Sequence, residues 1–432
     1  METPGVSVLP EKEDAAEGSR MVTGRAIAAA VLLTVLSGFW IRESEIVALG
    51  VYITESVPTI PGVAALLLVL LGNVLLQRTQ WKRFAFSRGE LLFVFLFVCV
   101  ATAMFSCGIG RFFLALITAP FYYAQTGNRL ADAQKYLPDW AVVRDPAAIK
   151  GLYESLHGSP IPWAVWLKPL AAWGGFFLAF WLAMLCMVLL MHRPWVEKEK
   201  LSFPLVQLPL ELTDLKPRAG GMPPFFRNPV MWGGFLLSFA FNATNIIHAL
   251  VPAFPRIANV TSFVPFTAPP MNAVGTVTMY HRPELIGFGY LVSTEISFSI
   301  WLTFILEKAV AVVMSSVGYR EAGVPFTQEQ SMGAYIALAL TLLYLGRNHL
   351  AAIARAAFFA GDPEMRRYRA AFWGFLVSAA ALLFFCRMLG IQWWVAAVYL
   401  GVVLATSLVY ARARAETGIP LIWLFPYGMP KT

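Results

Sequence analysis

Four residues able to carry or hold a proton, Glu295, Ser299, Thr303 and Glu307, recur at every fourth position inside an otherwise apolar run, Ser293 to Lys308. A spacing of four places them on one helix face. An ionised side chain at the centre of a bilayer costs roughly 2.5–3.5 kcal/mol even on mild insertion scales, so such acids are normally held in a bundle interior or a wet cavity. The chemistry they suggest is binding or movement of a polar solute or a proton. Each also has a plainer role. Glu295 at a helix start is favoured by the dipole, Glu307 can pair with Lys308, and the hydroxyls can bond back to their own helix. A second polar stripe, Asn242, Asn245 and His248, has threefold spacing, with Thr244 beside it. His248 could relay protons or contact a solute. The stripe more readily reads as interhelical hydrogen-bond glue, worth roughly 0.6–2 kcal/mol.

The elements that must position these groups are membrane helices. Hydrophobic residues make up 58% of the 432-residue chain and charged residues only 13%, too little polar surface for a soluble protein of this length. The net charge of +8 does not signal nucleic acid, because Lys and Arg cluster in short loops between apolar runs, where they fix orientation. Runs of spanning length lie near 25–41, 60–77, 89–108, 170–192, 229–251, 286–317, 328–345, 371–389 and 391–411. The expected fold is an all-α, polytopic transmembrane helix bundle with about 9–11 membrane segments, one or more of them re-entrant or broken. Capping boxes at Ser87–Glu90 and Thr327–Gln330 predict two helix starts.

Positive charge tests the topology. With a cytoplasmic N-terminus, the inner loops hold Arg78, Lys82, Arg83 and Arg88, then Arg193, Lys198, Lys200, Lys216, Arg218 and Arg227. The basic stretch Arg347, Arg355, Arg366, Arg367 and Arg369 obeys the same rule only if an even number of crossings separates Pro229 from Gly346. Something there should turn back. The candidates are a break within Gly287 to Gly318 and a short non-crossing run, Met332 to Leu345. Irregular backbone at membrane depth is tolerated where protein or a water-filled cavity satisfies it, and interrupted helices mark substrate sites in many transporters.

Around this transmembrane domain, residues 21–415, the expected organisation is a disordered cytoplasmic tail over 1–20 and a cytoplasmic loop over 193–228. Extracytoplasmic loops are expected over 122–162 and, Pro-rich and extended, over 251–283, with a C-terminal tail over 416–432. The cysteines Cys99, Cys107, Cys186 and Cys386 lack metal spacing and read as packing residues. No metal or cofactor is implied. The chain lacks a Gly-rich phosphate loop, HExxH, GxSxG and SxxK, so an enzyme is not expected. A membrane-embedded enzyme, built from Glu90, Glu295 and His248, is the weakest alternative.

The second basic loop has an ordered sequel: Trp195-Val196-Glu197-Lys198-Glu199-Lys200-Leu201-Ser202-Phe203-Pro204, then Gln207 to Leu212. Together with Gly89-Glu90-Leu91-Leu92, Tyr136 to Trp140, Gly151 to Glu154, Asn228-Pro229, Glu295 to Trp301 and Gln328 to Gly333, it resembles an uncharacterised bacterial family of polytopic membrane proteins distantly related to the oligopeptide transporter superfamily. Most of the chain takes part. Trp195, Glu197, Glu199, Leu201, Phe203 and Pro204 form the structural loop motif of that resemblance, and Glu199 to Pro204 carries the more distant one. Oligopeptide transporters follow this element with small residues, where this chain has Leu205-Val206-Gln207-Leu208. The resemblance implies proton-coupled secondary transport of a small polar solute, such as a peptide or metal chelate, across the bacterial inner membrane. Members of the resembled family continue past Glu416-Thr417-Gly418, so a shortened or incomplete member is expected. The alternative is a non-transporting scaffold or assembly subunit. Expected partners are the lipid bilayer and the solute, not nucleic acid, and a homo-oligomer is compatible with either reading.

Overall fold

Long apolar stretches satisfy their own backbone groups only as helices when water is absent, and this governs the architecture. The computed structural model describes residues 22–48, 52–105, 109–125, 127–155, 158, 160–214, 223–319, 321, 323–359 and 363–418. The expected 1–20 tail, Cys107, His157 and most of the 416–432 segment lie outside the described residues.

In chain order the elements begin with α1 (Gly24–Ile41), continued by a π-helical turn Arg42–Val47, then α2 (Ile60–Gln77), α3 (Arg88–Phe105) and α4 (Gly110–Tyr122). Next come α5 (Pro146–Glu154), α6 (Trp163–Leu190), α7 (Pro204–Leu212) and α8 (Pro229–Leu250). A hairpin of β1 (Val260–Phe263) and β2 (Val277–Tyr280) follows, then α9 (Pro283–Gly289), α10 (Thr294–Ser316), α11 (Thr327–Phe358), α12 (Arg369–Met388) and α13 (Trp393–Thr417). Among the described residues, nine helices are long and apolar enough to cross a membrane, and Phe112–Tyr122 forms a shorter apolar helix. Every span expected from the sequence falls on one of the nine. The chain is an all-α, multi-pass integral membrane protein.

The chain divides into two compact units, one from residues 1–110, 203–320 and 417–423 and the other from 111–202, 321–416 and 424–432, as far as these are described. In the first unit α3 packs against α1 and α2 through small and branched residues, with Ala26, Ala30, Ala65, Val94 and Val98 forming one buried cluster. Leu66, Leu70, Leu91, Phe95 and Leu212 form another, bringing in α7. Small residues let membrane helices approach closely, which gains dispersion where no hydrophobic effect drives association. The start of α3 is the predicted capping box, formed reciprocally: Glu90 N donates to Ser87 Oγ at 3.3 Å and Ser87 N donates to Glu90 Oε2 at 2.8 Å. Asn73, 1% exposed, clamps the approach to it, donating to Phe86 O and accepting from Phe86 N. The 251–283 segment is not uniformly extended. It folds into the antiparallel β1–β2 pair, Val260 opposite Tyr280, and its turn Met271–Val274 packs against α10.

In the second unit the 122–162 segment is a folded layer on α4 and the start of α6, with Ile117, Val143, Ala148, Ile149 and Trp166 buried together. Tyr122 and Tyr153 stack with ring centroids 4.0 Å apart, and Trp173 Nε1 donates to Ala141 O. Further along α6, Ala183 joins Leu382, Cys386, Ala396 and Leu400 of α12 and α13. The second predicted capping box does not form. Phe326, at φ 59, is the N-cap of α11, so Thr327 is already helical, and Gln330 Nε2 donates to Pro325 O instead. The expectation of a short non-crossing run at Met332–Leu345 is also corrected, because these residues lie inside the continuous 32-residue α11.

The second unit also brings the basic stretch onto the loop after α6. His349 bonds to Leu190 O at 3.0 Å, Arg193 pairs with Glu364 and Arg367 with Glu197. The basic stretch around Arg347–Arg369 therefore lies at the same end of the second unit's helices as Arg193–Lys198. Three helices long and apolar enough to cross a membrane occupy the interval between Leu190 and Glu364. The expected span 286–317 is interrupted, with α9 and α10 parted at Tyr290–Ser293.

Candidate functional site

The break ahead of α10 positions the first stripe. Ser293 is the N-cap, accepting from Ile296 N at 3.5 Å, with Glu295 in the first turn. Ser299 Oγ donates to Glu295 O and Thr303 Oγ1 to Ser299 O, both at 2.7 Å. Each hydroxyl is thus satisfied by the carbonyl one turn back, the plainer reading of their spacing. The Glu295 side chain is exposed and makes no hydrogen bond or ion pair among the described residues. Glu307 does not pair with Lys308. Adjacent helix positions do not face each other, and Lys308 Nζ instead lies over the Phe304 ring, 5.4 Å from its centroid.

The side chains of the second stripe bond within one region rather than between long helices. Asn242 Nδ2 donates to Ser238 O. Asn245 Nδ2 donates to Phe241 O and to Asn259 Oδ1, each at 3.0 Å, and His248 Nδ1 bonds Phe254 O at 2.6 Å. Asn245 and His248 therefore fasten α8 to the chain that follows it. Among the described residues no hydrogen bond or ion pair joins the two stripes. Beside α8 is a cavity of about 280 Å³, lined by Ala240, Phe241 and Thr244, by Ile257, and by Pro283 and Ile286 of α9. Thr244 is its polar member, and its hydroxyl is already given to Phe241 O. Among the described residues no group of His, Cys, Asp and Glu could hold a metal ion.

The most developed polar construction is the loop after α6. Trp195 is 4% exposed, and the Arg412 guanidinium lies 5.8 Å from its ring centroid. Arg412 pairs with Glu199 and, at 3.0 Å, with Glu416. Glu197 accepts from Arg193 at 3.1 Å and Arg367 at 3.0 Å. Leu201 N donates back to Trp195 O, and Lys200 and Phe203 take left-handed backbone, φ 50 and 43, before Pro204 opens α7. A family model described as a family of unknown function (DUF6785) matches residues 16–431. The chain belongs to that family. No curated protein and no solved structure matches it. In this DUF6785 chain the loop motif is an anchor: its acids are spent on Arg193 of the same loop and, from far along the chain, on arginines of α13 and the segment before α12. Those partners were invisible in the sequence, because charges some 170–213 residues apart, such as Glu197 with Arg367 and Glu199 with Arg412, have no local spacing to betray them.

Arg412→Ala strips Glu199 and Glu416 of their cation and uncovers Trp195. Charge-assisted hydrogen bonds contribute about 1.5–3 kcal/mol, so a loss of about 2 kcal/mol is expected. It should appear as a lower melting temperature in detergent and faster proteolysis at Lys198–Lys200. Wild-type proteolysis would show that the anchor is idle.

The sequence also missed two buried acids. Glu90, 1% exposed, accepts from Arg25 Nε and Nη2 at 2.7 and 2.6 Å and from Thr23 Oγ1. Glu45, fully buried, accepts from Thr54 N at 2.7 Å and Thr54 Oγ1 at 3.1 Å. Glu90 was legible as a capping residue but not as half of an ion pair. The sequence offered no signal for the burial of Glu45, since Ile41-Arg42-Glu43-Ser44-Glu45 reads as a solvated end.

Proposed function

We propose that this protein is a proton-coupled secondary transporter of a small polar solute, a peptide or a metal chelate, in the bacterial inner membrane with its N-terminus cytoplasmic. The observation that carries the reading is the interruption at Tyr290–Ser293 with Glu295, unpartnered among the described residues, in the first turn of the helix that resumes. Broken helices bring free backbone groups and a helix-terminal charge to a substrate site, and an acid free of competing partners can exchange a proton as the site changes exposure. The meeting of the basic stretch with Arg193 and Glu197 supports a segment that turns back between them. Ser299 and Thr303 contribute little, because their hydroxyls are committed to the helix.

Uptake by proteoliposomes under an imposed pH gradient, with labelled di- and tripeptides and labelled metal chelates, tests it. Glu295→Gln is expected to lower proton-driven uptake by about two orders of magnitude, in line with loss of a positioned proton carrier, and Ser299→Ala to change it less than about twofold. Undiminished uptake in Glu295→Gln removes that residue from the mechanism. A scaffold or assembly subunit is the second reading, favoured by the local satisfaction of Asn242, Asn245 and His248 and by the apolar lining of the neighbouring cavity. It predicts no uptake by the wild-type chain and stable co-purification with another membrane protein.

A further inference from the structure

We infer that the first unit carries a binding site for a phospholipid with an anionic headgroup: the cavity between α8 and α9 takes an acyl chain, and Arg256 and Arg282 take the phosphate. The cavity is too apolar for a solute. Its lining side chains come from a helix of membrane-crossing length and from the two segments that close over it. A polar ligand entering it would give up water and find no free side-chain donor among the lining residues, since the Thr244 hydroxyl donates to its own helix. An alkyl chain loses nothing there.

Charge supplies the other half of the ligand. Two of the lining residues, Ile257 and Pro283, each follow directly on an arginine. Arg256 and Arg282 are both exposed, and neither makes an ion pair, hydrogen bond or ring contact through its side chain among the described residues. Glu284, one residue into α9 from Pro283, is the acid closest in sequence and is not paired with either. An apolar slot with two lining residues that each adjoin an uncommitted arginine in the chain matches one ligand class, an alkyl chain ending in phosphate. Arginine suits that phosphate because its planar donors engage two oxygens at once, and basic pockets beside membrane helices hold acidic headgroups in this way.

The test uses the full chain in detergent with an equimolar mixture of phosphatidylglycerol and phosphatidylcholine, counting retained lipids by native mass spectrometry. The wild type is expected to retain phosphatidylglycerol in preference, by about fivefold or more, a margin of about 1 kcal/mol per surface-held basic residue being typical. Arg256→Gln with Arg282→Gln should remove the preference, and Ala240→Phe, which fills the cavity, should remove retention of both lipids. Three results would overturn the inference: no preference in the wild type, a preference that survives the paired arginine change, or full retention in Ala240→Phe. Loss of the preference when inorganic phosphate is added, with retention unchanged in Ala240→Phe, would likewise replace a lipid site with a bare phosphate site. Both arginines are exposed, so their arm stands even if the cavity-filling variant fails to fold.

Discussion

Arg25→Ala should destabilise the first unit by about 3 kcal/mol, far more than the median exposed ion pair of about 0–1 kcal/mol. The difference lies in Glu90. Its carboxylate is almost wholly enclosed, and the guanidinium meets both of its oxygens. Without Arg25 the charge is left with Thr23 Oγ1 and Ser87 N alone. Breaking a buried pair by removing one partner typically costs about 3–5 kcal/mol because an uncompensated charge remains. Arg25 keeps 42% of its side chain exposed, so water offsets some of the loss and the lower end applies. The companion double change, Arg25→Met with Glu90→Met, removes the charge together with its partner and should recover much of the stability. Unfolding in mixed detergent, followed by circular dichroism, measures both. An Arg25→Ala variant within about 0.5 kcal/mol of wild type would mean that the pair is no more than a surface contact.

Gly62→Ala is expected to cost about 2–3 kcal/mol, a large penalty for one methyl group. A Cβ at Gly62 would fall inside the van der Waals shell of Cys99 Sγ, with Thr59 Oγ1 at 3.0 Å and the Cys99 Cα at 3.3 Å. The sulfur could turn away, but the backbone of α3 could not, and overpacking of a close interface costs about 1–3 kcal/mol. Cys99→Ala in the same chain deletes the sulfur and leaves the backbone contact. The double variant should therefore be intermediate between Gly62→Ala and wild type in melting temperature. Equal stability of Gly62→Ala with and without Cys99→Ala would refute the sulfur as the obstacle.

These two sites show what the sequence could and could not yield. Helices were legible because bilayer-length apolar runs have one solution, and every span was found. The Ser87–Glu90 box was legible because both partners lie within four residues. Thr327–Gln330 has the same pattern and failed, because the left-handed Phe326 brings the chain in at an angle that no local spacing encodes. The break before Thr294 was foreseen from charge counting rather than from a breaker residue. The candidate stripes were legible as polar positions, but their bonds were not. Ser299 and Thr303 turn to their own helix, Asn245 reaches Asn259, and Glu307 ignores Lys308. Charge networks such as Arg193, Glu197, Glu364 and Arg367 depend on segments that meet only in the folded chain.

The division into units has a bearing on biogenesis. Each unit is interrupted in sequence by the other: residues 111–202 emerge before the first unit has received 203–320, and the second waits for 321–416. Neither can close while its opening stretch alone has left the ribosome. Arg193, Glu197 and Glu199 are thus made long before Arg367 and Arg412, and Trp195 stays uncovered until the last long helix is inserted. During translation Glu197 and Glu199 therefore lack their distant arginines, and the loop cannot take its final form until both have been made. A chain stopped before Arg412 would leave Glu199 permanently without that cation.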